Sequence, residues 1–266
     1  MKKLFTSNSY DTPANVSRLL GDRLALNSRW YFVYGFMREI WRSRALALKG
    51  CFDTKAWAES SYRILKLAEG CGGRFHIRGL EHLQTGMEPV VFISNHMSTL
   101  ETFVFQCMIA PKVPVAFIVK ESLVKHPIFG PVMRATHPIV VKRVNPRDDF
   151  EEVMKQGKKL LNAGVSVIVF PQSTRSVEFI PAEFNSLGIK LAKAAEVKVL
   201  PIAVKTDFWG NSKLKLMRDA GPVNRNKPIY ITFGEALAIH GTGKVEHQQI
   251  IDFISRHLHK WATTRQ

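Results

Sequence analysis

The spacing of apolar positions changes character near residue 72. Before it, residues 24–49 carry an apolar stripe at helical spacing: Trp30, Val33, Tyr34, Met37, Trp41, Ala45 and Leu48. This predicts a long helix. Phe32 and Phe36 fall off the stripe, so the helix is apolar over much of its girth, with Arg38, Arg42 and Lys49 to one side and Arg44 among the apolar positions. A second helix is predicted from about Thr54 to Glu69, capped by Asp53 or Thr54 and stopped at Gly70. After Gly73, short apolar runs at 89–94, 113–119, 138–141, 165–170 and 197–204 alternate with helical segments near 98–110, 146–162, 185–196 and 245–262. Such alternation predicts an α/β fold with a mostly parallel central sheet flanked by helices, preceded by an N-terminal helical hairpin. The expected division is residues 1–72 for the helical region and 73–266 for the α/β domain.

Composition narrows the partners. The 266 residues hold 38 Lys and Arg against 22 Asp and Glu, a formal charge of +16, which favours a polyanionic partner. An anionic membrane surface or a phosphorylated small molecule fits this surplus. Nucleic acid does not, because no recognition helix, zinc finger or RNA-binding signature is present and the charge is spread along the chain. Cys51, Cys71 and Cys107 stand far apart, which argues against a disulfide framework and a structural zinc site and points to a reducing, cytoplasmic setting. The start of the chain lacks the apolar core of a signal peptide, and no run approaches the roughly eighteen apolar residues of a spanning helix. The N-terminal helices suit two roles equally, packing over the core or lying in a membrane interface with Arg and Lys on lipid phosphates.

Two segments carry candidate chemistry, each at the carboxyl end of an apolar run, where open α/β sheets place their ligands. The first is Ser94-Asn95-His96-Met97-Ser98-Thr99-Leu100-Glu101. Five residues apart, His96 and Glu101 would diverge by about 140° on one helix, so they can meet only if His96 precedes the helix and Glu101 reaches back from its first turn. In that arrangement the carboxylate fixes the imidazole tautomer and leaves the other ring nitrogen to act as a base. Ser98 and Glu101 also read as a capping box, in which Glu101 only satisfies the helix start. The second segment is Phe170-Pro171-Gln172-Ser173-Thr174-Arg175-Ser176, whose hydroxyls and guanidinium could hold a phosphate, or which could be an ordinary turn after Pro171.

The order and spacing of these segments resemble the glycerolipid acyltransferase superfamily, which includes the 1-acylglycerol-3-phosphate acyltransferases. Asn95 to Glu101 is similar to the family's N-H-x-S-x-x-D block, with Glu for Asp. Lys120-Glu121-Ser122-Leu123, Pro127, Gly130 and Ile139 to Arg143 follow the layout of its second block. Phe170 to Ser176 resembles F-P-E-G-T-R-S, with Gln172 and Ser173 for Glu and Gly; Phe184, Gly188 and Val199 to Val204 resemble its later elements. The likeness extends over residues 73–207. A His-x4-Glu pair is similar to that of the lipid A late acyltransferases.

This resemblance implies an enzyme that moves an acyl group from an acyl carrier protein or coenzyme A thioester to a lysophospholipid hydroxyl, 1-acylglycerol 3-phosphate being the first expectation. His96 would be the base and Glu101 its orienting partner. Asn95, Arg143, Gln172, Ser173, Thr174 and Arg175 would bind substrate, with the two arginines on the acceptor phosphate. No metal and no cofactor beyond the thioester co-substrate is expected, and the enzyme would sit on the inner face of the cell membrane. The changes at Gln172 and Ser173 fall on the acceptor side, so another lyso-lipid acceptor, or an inactive membrane-binding relative, are the alternatives.

Overall fold

The computed structural model describes residues 4–172, 174–211 and 221–263. Eight strands form one sheet: β1 (Tyr10–Asp11), β2 (Phe75–Arg78), β3 (Val91–Ser94), β4 (Val115–Lys120), β5 (Ile139–Val141), β6 (Ser166–Val169), β7 (Val199–Lys205) and β8 (Ile229–Phe233). Their order is β1-β2-β8-β7-β3-β6-β4-β5. The pairings are parallel except β1 with β2 and β7 with β8. The mostly parallel α/β sheet is therefore as expected, whereas β1, β2 and β8 are additions, and β8 supplies an antiparallel neighbour to the central strand β7.

Helices cover both faces. They are α1 (Leu20–Leu24), α2 (Arg29–Leu48), α3 (Thr54–Gly70), α4 (Leu100–Ile109), α5 (Glu121–Lys125), α6 (Gly130–Ala135), α7 (Pro146–Asn162), α8 (Leu187–Ala194) and α9 (Lys244–Thr263). Strand β3 shows how the sheet divides the core. Val91 and Ile93 point into a cluster with residues of α7, α8 and α9, while Phe92 points into one with α2, α3 and α4. With both faces covered, β3 and β6 are buried along their whole length, which is why they read as unbroken apolar runs. Gly188 of α8 lets that helix sit against β3; a Cβ there would stand 2.7 Å from Ile93 Cδ1.

The N-terminal helices join the same core. Core residues of the first cluster run across position 72 without a break, and β1 pairs with β2 at the sheet edge. Arg63 of α3 grips Glu39 of α2 with both Nε and a terminal nitrogen, at 2.9 and 2.8 Å. Helix α2 buries the opposite face from the stripe read in its sequence: Phe32, Phe36 and Ile40 pack inward, while Trp30, Tyr34, Trp41 and Leu48 are exposed. A helix apolar nearly all round does not declare its inner face. Here aromatic partners select it, since Phe32 and Phe36 each meet Trp209 at 4.9 Å and Phe36 meets Phe103. Among the described residues, no helix is long and apolar enough to cross a membrane.

Candidate active site

Strand β3 ends at Ser94, and α4 begins only at Leu100. His96 therefore lies on the turn between them, as a meeting with Glu101 requires. Its Nδ1 is 2.9 Å from Glu101 Oε1. That oxygen also accepts the backbone N–H groups of Met97 and Ser98, at 2.7 and 2.8 Å. Oε2 accepts the hydroxyls of Ser98 at 2.9 Å and Thr206 at 2.6 Å. One carboxylate thus does both things the sequence left open: it caps the helix start and holds the imidazole.

Glu101 is fully buried, and His96 keeps 18% of its side chain exposed. Burial alone would raise the Glu101 carboxyl, but His96, Thr206 and the Ser98 backbone together hold it below its ordinary value. The anion is thus favoured, and Nδ1 of His96 is the nitrogen that carries hydrogen toward it. Nε2 meets no hydrogen-bonding partner among the described residues and is the nitrogen available to a reacting group.

The second segment builds the other wall. Phe170 stacks on the His96 ring at 4.2 Å and 22°, backed in turn by Phe105 and Phe117. Gln172 Oε1 accepts the His96 backbone N–H at 2.7 Å, and Ser176 N–H donates to the His96 carbonyl at 2.9 Å. Gln172, expected to meet substrate, therefore has its carbonyl on the backbone of the base. Asn95, also expected to meet substrate, is engaged by a strand. It is buried, its Nδ2 donates to Val204 O and its Oδ1 accepts from Val204 N, both at 2.9 Å, so its amide continues the sheet between β3 and β7.

Arg175 is half-buried and hydrogen-bonds the Thr99 hydroxyl beside His96, and Thr174 is exposed. Ser173 lies outside the described residues. Arg143 sits just beyond the edge strand β5, exposed, at φ 61°, with its N–H and that of Lys142 donating to Asp149. Two strands, β6 and β4, separate β5 from β3, and the three inter-strand spacings amount to about 14 Å. The structure therefore brings Arg175 to Thr99, three residues after His96, and leaves Arg143 at the far side of the same sheet edge. Sequence reasoning missed Thr206, which follows β7 and lies 105 positions from Glu101, and it did not assign Phe170 the ring contact.

The carboxyl edge of the parallel sheet thus holds a buried carboxylate–histidine pair, walled by an arginine-bearing turn. The chain belongs to the glycerolipid acyltransferase superfamily: residues 74–205 match the Acyltransferase family. It is 28% identical over 193 residues to a 1-acyl-sn-glycerol-3-phosphate acyltransferase of Pseudomonas aeruginosa, a match covering 72% of this chain and 69% of that one. It is also 28% identical over 202 residues to a chloroplast 1-acyl-sn-glycerol-3-phosphate acyltransferase of Arabidopsis thaliana, over 73% of this chain and 52% of the relative. The chain thus spans about half the length of that relative. In fold it is similar to the crystal structure of the 1-acyl-sn-glycerophosphate acyltransferase PlsC of Thermotoga maritima, with a TM-score of 0.66, 18% identity, and 93% of this chain and 100% of that one covered.

Proposed function

We propose that this acyltransferase moves a fatty acyl group from an acyl carrier protein or coenzyme A thioester to the free hydroxyl of 1-acylglycerol 3-phosphate. The observation that carries the proposal is the His96–Glu101 hydrogen bond, which leaves one ring nitrogen for the acceptor. Nε2 of His96 takes the hydroxyl proton as the oxygen attacks the thioester carbonyl, and Glu101 stabilises the resulting imidazolium. The tetrahedral adduct collapses by breaking the C–S bond, and the departing thiolate recovers the proton from the imidazolium. No acyl-enzyme forms in this scheme. Arg175, which hydrogen-bonds Thr99, binds the acceptor phosphate; Arg143 adds positive charge at the rim, and Thr174 and Ser173 contribute to acceptor recognition.

The proposed working place is the cytoplasmic face of a membrane carrying anionic lipid. Support comes from α1, α2 and the turn between them, where Leu20, Leu24, Leu26, Trp30, Tyr34, Trp41 and Leu48 are exposed. Arg29 lies over the Trp30 ring and Arg44 over Trp41, at 4.9 and 5.3 Å, an arrangement suited to rings at the acyl boundary and cations at phosphates.

A second acceptor reading rests on Gln172, which is neutral where the resembled family carries Glu. Purified protein assayed with coenzyme A and carrier-protein thioesters against a panel of lyso-lipids tests both. The proposal expects 1-acylglycerol 3-phosphate to be the best acceptor. Faster transfer to a lyso-aminolipid or another lyso-phospholipid selects the second reading, and transfer to none refutes the proposal.

A further inference from the structure

Glu101 has one more methylene than the aspartate of the resembled block, and a longer side chain needs more restraint to hold one orientation. The backbone donors Met97 and Ser98 fix Oε1, but among the described residues Oε2 is held only by hydroxyls. Ser98 has one proton, and its oxygen already accepts the Leu100 N–H at 3.0 Å. It also lies 3.1 Å from the Thr206 hydroxyl. Whichever acceptor Ser98 chooses, Thr206 Oγ1, at 2.6 Å, is the shortest contact to Oε2.

Thr206 is itself held from several directions. It is completely buried, and its N–H donates to Met97 Sδ at 3.3 Å. The next residue, Asp207, is clamped by Lys205 at 2.9 Å and Lys227 at 2.7 Å. Trp209 anchors the same turn between Phe32 and Phe36, and Asn211 donates to the Met97 carbonyl at 3.1 Å. The hydroxyl therefore reaches Glu101 from a rigid element that no motif of the sequence contains.

We infer that Thr206 is a positioning residue for the reaction: its hydroxyl locks the Glu101 carboxylate so that Oε1 stays aimed at Nδ1 of His96. The inference rests on the acyl-transfer reading of His96 and adds a third member to that pair. It acts through Glu101 and touches no substrate.

Thr206→Val replaces the hydroxyl by a methyl of nearly equal volume, and Thr206→Ser restores it. For the valine variant, kcat should fall about tenfold, the effect of one charge-assisted hydrogen bond, with KM for the lyso-lipid changing less than about twofold. Serine should recover most of kcat. Proton–nitrogen NMR of protein labelled at histidine supplies a readout needing no substrate. The His96 Nδ1 proton should appear far downfield in the wild type and the serine variant, and should move or broaden in the valine variant. Near-UV circular dichroism identifies a valine variant that fails to fold; Thr206→Ala against Thr206→Ser then carries the same expectation. Unchanged kcat, or an unmoved Nδ1 resonance, in a folded variant lacking the hydroxyl overturns the inference. Full activity in His96→Ala would instead overturn the acyl-transfer reading, while the NMR comparison would still report on Thr206.

Discussion

Glu101→Gln separates the two things Glu101 does. The amide can place its oxygen at the Oε1 site, facing the three donors His96, Met97 and Ser98. Its NH2 then meets the hydroxyls of Ser98 and Thr206, which can turn to accept instead of donate. Shape, capping and tautomer survive, and only the charge is lost. At an effective dielectric constant of 20, opposite charges about 4 Å apart attract by about 4 kcal/mol, and each 1.36 kcal/mol is tenfold in rate. The imidazolium formed in the reaction loses that stabilisation, so kcat should fall by roughly 10³-fold, less whatever the retained neutral hydrogen bond returns. Stability at neutral pH should fall modestly, because the amide keeps the hydrogen bonds but loses a charge that the folded site favours. The assay is steady-state release of coenzyme A thiol, with denaturant unfolding in parallel. A glutamine variant within threefold of wild-type kcat would refute the reasoning and reduce Glu101 to a helix cap.

Four further outcomes follow from the packing. Because the folded-state Glu101 carboxyl lies below its ordinary value of 4.5, its contribution to stability is present above that pH and is lost as pH falls below it; unfolding free energy should therefore drop less between pH 6 and 3.5 in Glu101→Gln than in the wild type, as read by urea titration. Phe170→Leu removes the ring that stacks on His96 and should lower kcat about three- to tenfold with KM nearly constant, as aromatic pairs contribute about 0.5–1.5 kcal/mol. Gly188→Ala should destabilise the fold by about 1–3 kcal/mol by pushing α8 off Ile93, a shift visible in the denaturant midpoint. Replacing exposed Trp30, Tyr34 and Trp41 by serine should leave the denaturant midpoint almost unchanged but weaken co-sedimentation with anionic vesicles, whereas Phe36→Ala should cost about 3–5 kcal/mol of stability.

Much of this architecture was legible because local signals agreed. Helix α7 spans Pro146–Asn162 as predicted, since Asn145 caps it, Pro146 opens it and Gly164 follows it at φ 81°. The buried strands β3, β6 and β7 declared themselves by their apolar runs. Strands β1, β2 and β8 did not: β1 has two residues, and Phe75-His76-Ile77-Arg78 alternates over only four. Their pairing depends on partners up to about 150 positions away. The outer face of α2 was misleading because apolar positions nearly encircle the helix. At the site, the His96–Glu101 spacing was readable because the two residues are only five positions apart, on the turn after β3 and at the start of α4. Thr206, Phe170 and the scaffold role of Asn95 arise from contacts between separate strands, which spacing along the chain does not encode.

The most direct test of the whole account is the acyl-transfer rate of folded His96→Ala, measured beside wild type on vesicles containing 1-acylglycerol 3-phosphate and an acyl thioester. The account predicts a loss of about 10³-fold or more with circular dichroism and vesicle binding intact, since a general base contributes roughly 10²–10⁴-fold and here also sets the acceptor oxygen. A variant that transfers acyl groups within threefold of the wild-type rate would contradict it.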